Sequence, residues 1–137
     1  PFPPLFLSIQ AVVFAVKVLM LGDEVTGLID FYFSCTDIRA YDLAVTHAAW
    51  CFADDGSEFH DPISRALIAG YVSGFALTDA ERKALPLLAR GAALRFLLTR
   101  AYDWINTPAD ALVTRKDPQA FLHRLQYYQS HPDIFKS

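Results

Sequence analysis

The chain has 137 residues, 53% of them hydrophobic and 20% charged, and a formal net charge of −3. That is one domain with ample apolar surface, which excludes disorder as its general state. The acidic balance excludes a nucleic-acid module that works through a basic surface.

The sequence opens on Pro1 rather than Met and reads as a processed or incomplete chain. Leu5 to Leu21 is strongly apolar. It falls short of the roughly 20 residues of a spanning helix, contains Gln10 and Lys17, and lacks the charged flank of a signal peptide. Its β-branched content predicts a strand or two instead. Membrane anchoring through residues 5–21 is the alternative, and no membrane partner is expected. Cys35 and Cys51 are too few for a disulfide scaffold and lack C-x-x-C spacing. They read as reduced, buried thiols of a cytoplasmic protein.

Val18 to Leu21 and Val25 to Ile29 flank Gly22-Asp23-Glu24, which predicts a hairpin. After a polar, aromatic-rich stretch from Asp30 to Asp37 the period changes. Ile38, Tyr41, Val45, Ala48 and Phe52 recur at helical steps, with Asp37 as the expected N-cap. Asp54-Asp55-Gly56-Ser57 is a turn cluster. Asp61-Pro62 signals a second helix, with Asp at the N-cap and Pro at N1, ending near Gly74. Thr78-Asp79-Ala80-Glu81 is a capping box that starts a third, and Pro86 is expected to kink or divide it. Leu88, Ala92, Leu94, Leu98 and Tyr102 make the next stretch apolar nearly all round, which predicts the central buried helix. Asn106-Thr107-Pro108 ends it. Asp117-Pro118 begins a last helix carrying Phe121, Leu122, Leu125 and Tyr128, and the tail after Ser130 is expected to fray. The chain thus reads as a small hairpin and four or five helices. Such a hairpin needs to lie against something else.

Chemistry concentrates at few places. Leu28-Ile29-Asp30-Phe31 sets a carboxylate just past a strand, a common way to hold Mg²⁺ near a nucleotide's phosphates. A turn-capping Asp has the same appearance. His47, His60, His123 and His131 show no metal spacing. The six glycines stand singly, so there is no Gly-rich phosphate loop. Arg90, Arg95 and Arg100 recur every five residues and point around their helix. They read either as solvated or core-edge arginines, or as a fork for a carboxylate.

Gly27-Leu-Ile-Asp-Phe-Tyr-Phe-Ser-Cys-Thr-Asp37, Ala40-Tyr-Asp-Leu-Ala44 and Trp50-Cys-Phe52 form an uncommon combination. So do Leu88-Ala-Arg-Gly-Ala-Ala-Leu-Arg-Phe-Leu-Leu-Thr-Arg-Ala-Tyr-Asp-Trp104 and Ala111-Leu-Val-Thr-Arg-Lys-Asp-Pro118. Together, from about Val18 to about Tyr128, they resemble the C-terminal lobe of bacterial homoserine kinases of the aminoglycoside-phosphotransferase-like, protein-kinase-like superfamily. The resemblance implies a mostly α fold with a small β-hairpin: the helical C-lobe of a kinase-like fold, with the N-lobe absent. Residues 1–17 form a divergent N-terminal segment, 18–130 the C-lobe and 131–137 a tail.

The activity implied is phosphoryl transfer from ATP to L-homoserine in threonine biosynthesis, with Mg²⁺. Asp30 matches the family's metal-binding Asp, and Asp42 a structural hydrogen-bonding Asp. Arg90, Arg95, Arg115 and Lys116 are candidates for the amino-acid carboxylate, and Asp103, beside Trp104, for the same cleft.

Departures from the family pattern matter as much. The family's catalytic loop reads H-x-D-x-x-x-x-N. Counting back from Asp30 puts Gln10 at the His, Val12 at the catalytic Asp and Lys17 at the second metal-binding Asn. Val12 can neither accept a proton nor orient a hydroxyl. No catalytic residue is therefore assigned, and the chain is expected to be inactive alone. The alternative is a non-catalytic helical binding module or a degenerate pseudokinase piece. With nothing near Asp30 in sequence to neutralise it, the carboxylate is expected to lack a counter-charge. Uncovered apolar surface is expected to promote self-association.

Overall fold

A computed structural model of the chain describes residues 6–9, 17–32, 34–108 and 110–136. Four short strands precede four helices. The strands are β1 (Phe6–Ile9), β2 (Val18–Leu21), β3 (Glu24–Leu28) and β4 (Cys35–Ile38). The helices are α1 (Arg39–Trp50), α2 (Asp61–Gly74), α3 (Asp79–Asn106) and α4 (Gln119–Ser130). The fold is mostly helical, with two separate antiparallel strand pairs, β2–β3 and β1–β4.

The expected hairpin forms. Val18 faces Leu28 and Leu21 faces Glu24, with a register shift between Leu19 and Met20. Gly22 takes a φ of 61° in its turn, where a side chain would be strained. β4 has no clear sequence signal: its four residues pair with β1, a partner nearly thirty positions away.

α1 is the centre of the core. Ala40, Leu43, Ala44, His47, Ala48 and Cys51 follow helical spacing and are all essentially buried. Its N-cap is Ile38, with no side-chain cap. The expected cap, Asp37, lies in β4, and its Oδ1 accepts from Ile38 N at 2.7 Å. α2 has His60 at its N-cap, not Asp61. Asp61 sits inside the first turn and pairs with Arg65 at 2.8 Å.

The capping box of α3 is present. Glu81 N donates to Thr78 Oγ1 at 3.2 Å, and Thr78 N donates to Glu81 Oε2 at 2.7 Å. Pro86 does not divide α3, which runs unbroken for 28 residues. The bond it removes is the one to the Arg82 carbonyl, at an exposed position where water can serve instead. Leu85 and Ala89, on either side, are buried in the core.

α3 is not buried all round, in contrast to its composition. Ala89, Ala92 and Ala93 pack inward, while Leu94 is 44%, Leu98 60% and Tyr102 68% exposed. Small residues allow close approach on one face and leave the leucines outside.

The tail does not fray after Ser130. Phe135 is 5% exposed and packs 4.8 Å from the His47 ring. Gly56, at φ 73°, lets the turn before α2 approach the Ala120 carbonyl so closely that a Cβ would collide with it. Cys51 is buried, and burial pushes its thiol up to about 12. Cys35 is exposed rather than buried, and both are free. Among the described residues, no helix is long and apolar enough to cross a membrane.

Candidate functional site

The β2–β3 hairpin sets up the first site. Ile29 N donates to the Lys17 carbonyl at 3.0 Å, so the pairing extends one step beyond Val18 and Leu28. Asp30 follows at a φ of 64°, the single non-glycine residue with positive φ among those described. Bulkier side chains avoid that region, whereas Asp tolerates it. The Lys17 ammonium lies 2.8 Å from Asp30 Oδ2. The Lys17 side chain is 11% exposed and that of Asp30 42%.

This corrects the expectation that nothing neutralises Asp30. The counter-charge stands thirteen positions earlier in sequence and is delivered by strand pairing. It also bears on Mg²⁺. A hard divalent cation needs several oxygen ligands, yet no group of three His, Cys, Asp or Glu residues that could hold a metal occurs among the described residues. The one carboxylate assigned to it is held by an ammonium. With Lys17 on Asp30, the described residues do not fit a divalent ion there. Gln10 and Val12 lie outside the described residues.

Asp42, in the first turn of α1, is half-buried. Its Oδ1 has no hydrogen-bond partner among the described residues. Burial therefore raises its carboxyl above the ordinary range.

The five residues suggested for the amino acid are not drawn to one point. Arg90 is exposed on α3. Arg95 lies 4.4 Å over the Phe96 ring and 5.9 Å from that of Tyr41. Arg115 packs 5.3 Å over Trp104, the neighbour of Asp103, and donates to the Trp104 carbonyl at 3.2 Å. Lys116 lines a cleft of about 600 Å³ with Arg100, Arg124, His123, Asp54 and Asp117. Arg100 donates to the Asp117 carbonyl at 3.1 Å, and burial lowers its pKa. The cleft carries both signs of charge, as a zwitterionic ligand requires.

One polar cluster escaped sequence reading. His47, fully buried, has Nδ1 2.7 Å from Tyr128 Oη and Nε2 2.8 Å from Ser64 Oγ. Burial lowers its pKa to about 4. Having no access to solvent, it ties α1 to α2 and α4. The available signal was a histidine on the apolar face of α1, where a buried polar group demands partners.

Residues 18–86 match the phosphotransferase enzyme family, and the chain belongs to it. The mostly helical body with its small hairpin is consistent with a piece of such a kinase-like fold. Within this class, the chain is similar to proteins named homoserine kinase. It is 57% identical over 123 residues to that of Gluconobacter oxydans, which covers 90% of this chain and 39% of the relative. It is 58% identical to that of Gluconacetobacter diazotrophicus, over 90% of this chain and 38% of the relative. The Zymomonas mobilis protein is 56% identical, over 88% and 38%. The chain thus spans about two fifths of the length of these curated relatives.

Proposed function

We propose that this chain is the helical part of a homoserine kinase, a cytoplasmic enzyme of threonine biosynthesis. The reading is carried by 56–58% identity to proteins of that name over 88–90% of the chain. In the reaction, the hydroxyl oxygen of L-homoserine attacks the γ-phosphorus of ATP. The bond to the β-phosphate oxygen breaks, the hydroxyl proton leaves to a base, and O-phospho-L-homoserine and ADP form. Residues 18–130 form the main family portion, and the 123-residue match to the Gluconobacter oxydans protein runs beyond them.

Within that portion, Arg115 and Lys116 follow the end of α3 and are the leading candidates for the substrate carboxylate, which suits a guanidinium fork or an ammonium. Asp103, next to the Arg115–Trp104 stack, is the candidate for the substrate ammonium. Arg90 and Arg95 are further carboxylate candidates. Asp42 is assigned a structural role on α1, not a chemical one. ATP is the phosphoryl donor. Mg²⁺ accompanies ATP in kinases of this kind, but no step is assigned to it here, because Lys17 holds Asp30.

The chain as it stands is expected not to turn over. Val12 occupies the position that the resemblance gives to the base, and losing a positioned acid–base group costs about 10²–10⁴-fold in rate. Homoserine-dependent ADP release should not exceed that of Asp30→Ala. A second reading, a non-catalytic member that retains amino-acid binding, is favoured by the same Lys17–Asp30 pair.

Substrate assignment is tested by titrating L-homoserine into the chain and following the two indole resonances. The Trp104 signal should shift saturably while that of Trp50 stays, and Arg115→Ala should abolish the shift. An unmoved Trp104 would remove L-homoserine from this surface.

A further inference from the structure

We propose that Lys17 is a built-in cation that satisfies the Asp30 carboxylate and makes this site independent of divalent metal. The inference rests on the reading of Asp30 as the family's metal position, but on neither substrate.

Backbone pairing fixes the two residues together. The Lys17 carbonyl accepts from Ile29 N at 3.0 Å, which sets the lysine beside the residue preceding Asp30. The ammonium then reaches Oδ2 at 2.8 Å. With its side chain only 11% exposed, Lys17 has given up most of its hydration and depends on an anion for compensation. Asp30 meets that need from a left-handed backbone, at φ 64°. A covalently tethered ammonium acts at high local concentration. A dissolved cation would have to displace it and leave its charge buried.

The two charges of the pair cancel, so Asp30 does not present an uncompensated carboxylate to a second cation. Replacing an amide ligand by an ammonium at position 17 would exchange a group that helps hold a metal for one that takes the metal's electrostatic part.

The test uses Mn²⁺ alone, with free ion read by electron paramagnetic resonance and the melting temperature read in parallel. The unmodified chain should leave the free Mn²⁺ signal undiminished and its melting temperature unmoved. Lys17→Asn should bind Mn²⁺ and melt higher in its presence, and adding Asp30→Asn to that variant should abolish both effects. Lys17→Arg should stay metal-independent. Should Lys17→Asn prove unstable, Lys17→Gln serves the same comparison. In the unmodified chain, Asp30→Asn should lower the melting temperature, because it removes the Lys17–Asp30 ion pair. Asp30-dependent Mn²⁺ binding by the unmodified chain would overturn the proposal. So would charge-removing variants that fold yet gain no Mn²⁺ binding, or an Asp30→Asn chain as stable as its parent.

Discussion

Arg39 and Glu81 clasp the starts of α1 and α3 through two parallel bonds, Nε to Oε1 at 3.0 Å and Nη2 to Oε2 at 2.8 Å. The Glu81 side chain is 1% exposed and that of Arg39 11%, and Arg39 also donates to the Ala76 carbonyl at 3.0 Å. Burial pushes the Glu81 carboxyl up, but its bonds from Arg39 and Thr78 outweigh this and hold it below the ordinary range. Such a group stabilises the fold above its unfolded pKa, and the contribution disappears as pH falls through the folded value. Glu81→Ala should cost about 3–5 kcal/mol in urea unfolding, because Arg39 is left buried without its anion. The paired change Arg39→Met with Glu81→Leu should recover much of that. A cost below about 1 kcal/mol for Glu81→Ala would show that the clasp contributes only its surface value.

The His47 cluster predicts a second acid response. Its pKa falls from 6.5 to about 4 through burial, so the native state keeps it neutral while the unfolded chain takes up a proton. Its stabilising contribution is complete above about pH 6.5 and is lost as pH drops towards about 4, by roughly 3 kcal/mol in all. The ring resonances of His47 should remain those of neutral imidazole at pH 5.5. A ring that titrates near 6.5 in the folded chain would contradict the buried placement. At neutral pH, Tyr128→Phe and Ser64→Ala should each cost about 1–3 kcal/mol by leaving a ring nitrogen unpaired.

Asp42 works in the opposite sense. Burial raises its carboxyl, so its protonated form is favoured in the fold. The stabilisation is present below the unfolded pKa and is lost as pH rises through the folded one. Asp42→Asn should therefore be more stable than the parent at pH 7. The difference between the two proteins should shrink as the pH is lowered. A variant less stable than its parent at pH 7 would mean that the carboxylate is stabilised in the fold.

The outer face of α3 carries Leu87, Leu94, Leu98, Tyr102 and Ile105 at exposures of 64%, 44%, 60%, 68% and 80%. Contiguous apolar surface of this kind promotes association. The chain should elute from size-exclusion chromatography above its monomer mass and bind an apolar dye. Leu94→Lys with Leu98→Lys should shift it to monomer without lowering the melting temperature, since neither side chain is in the core. A clean monomer that binds no dye would exclude this face as an association surface.

Local chemistry made much of the chain readable from its residues. Gly22-Asp23 gave away the hairpin, Thr78 and Glu81 the start of α3, and Pro62 the first turn of α2. Each acts within four residues, so its physics is contained in the sequence window. The apolar spacing of α1 likewise marked Val45, Ala48 and Phe52 as core. The resemblance to homoserine kinases lay in contiguous motifs, which the family match and the relatives uphold. Other features depended on partners distant in sequence. β4 exists because β1 pairs with it. Leu94 and Leu98 of α3 lie outside because small alanines take much of the inner face. Phe135 is ordered because it reaches the rings around His47. Asp30 gained its counter-charge because strand register brought Lys17 across the hairpin. Sequence alone determined which segments would turn, coil and hide apolar surface, because those preferences are local. Only the tertiary structure decided which charges meet and which apolar faces stay uncovered, because both depend on which distant elements pack together.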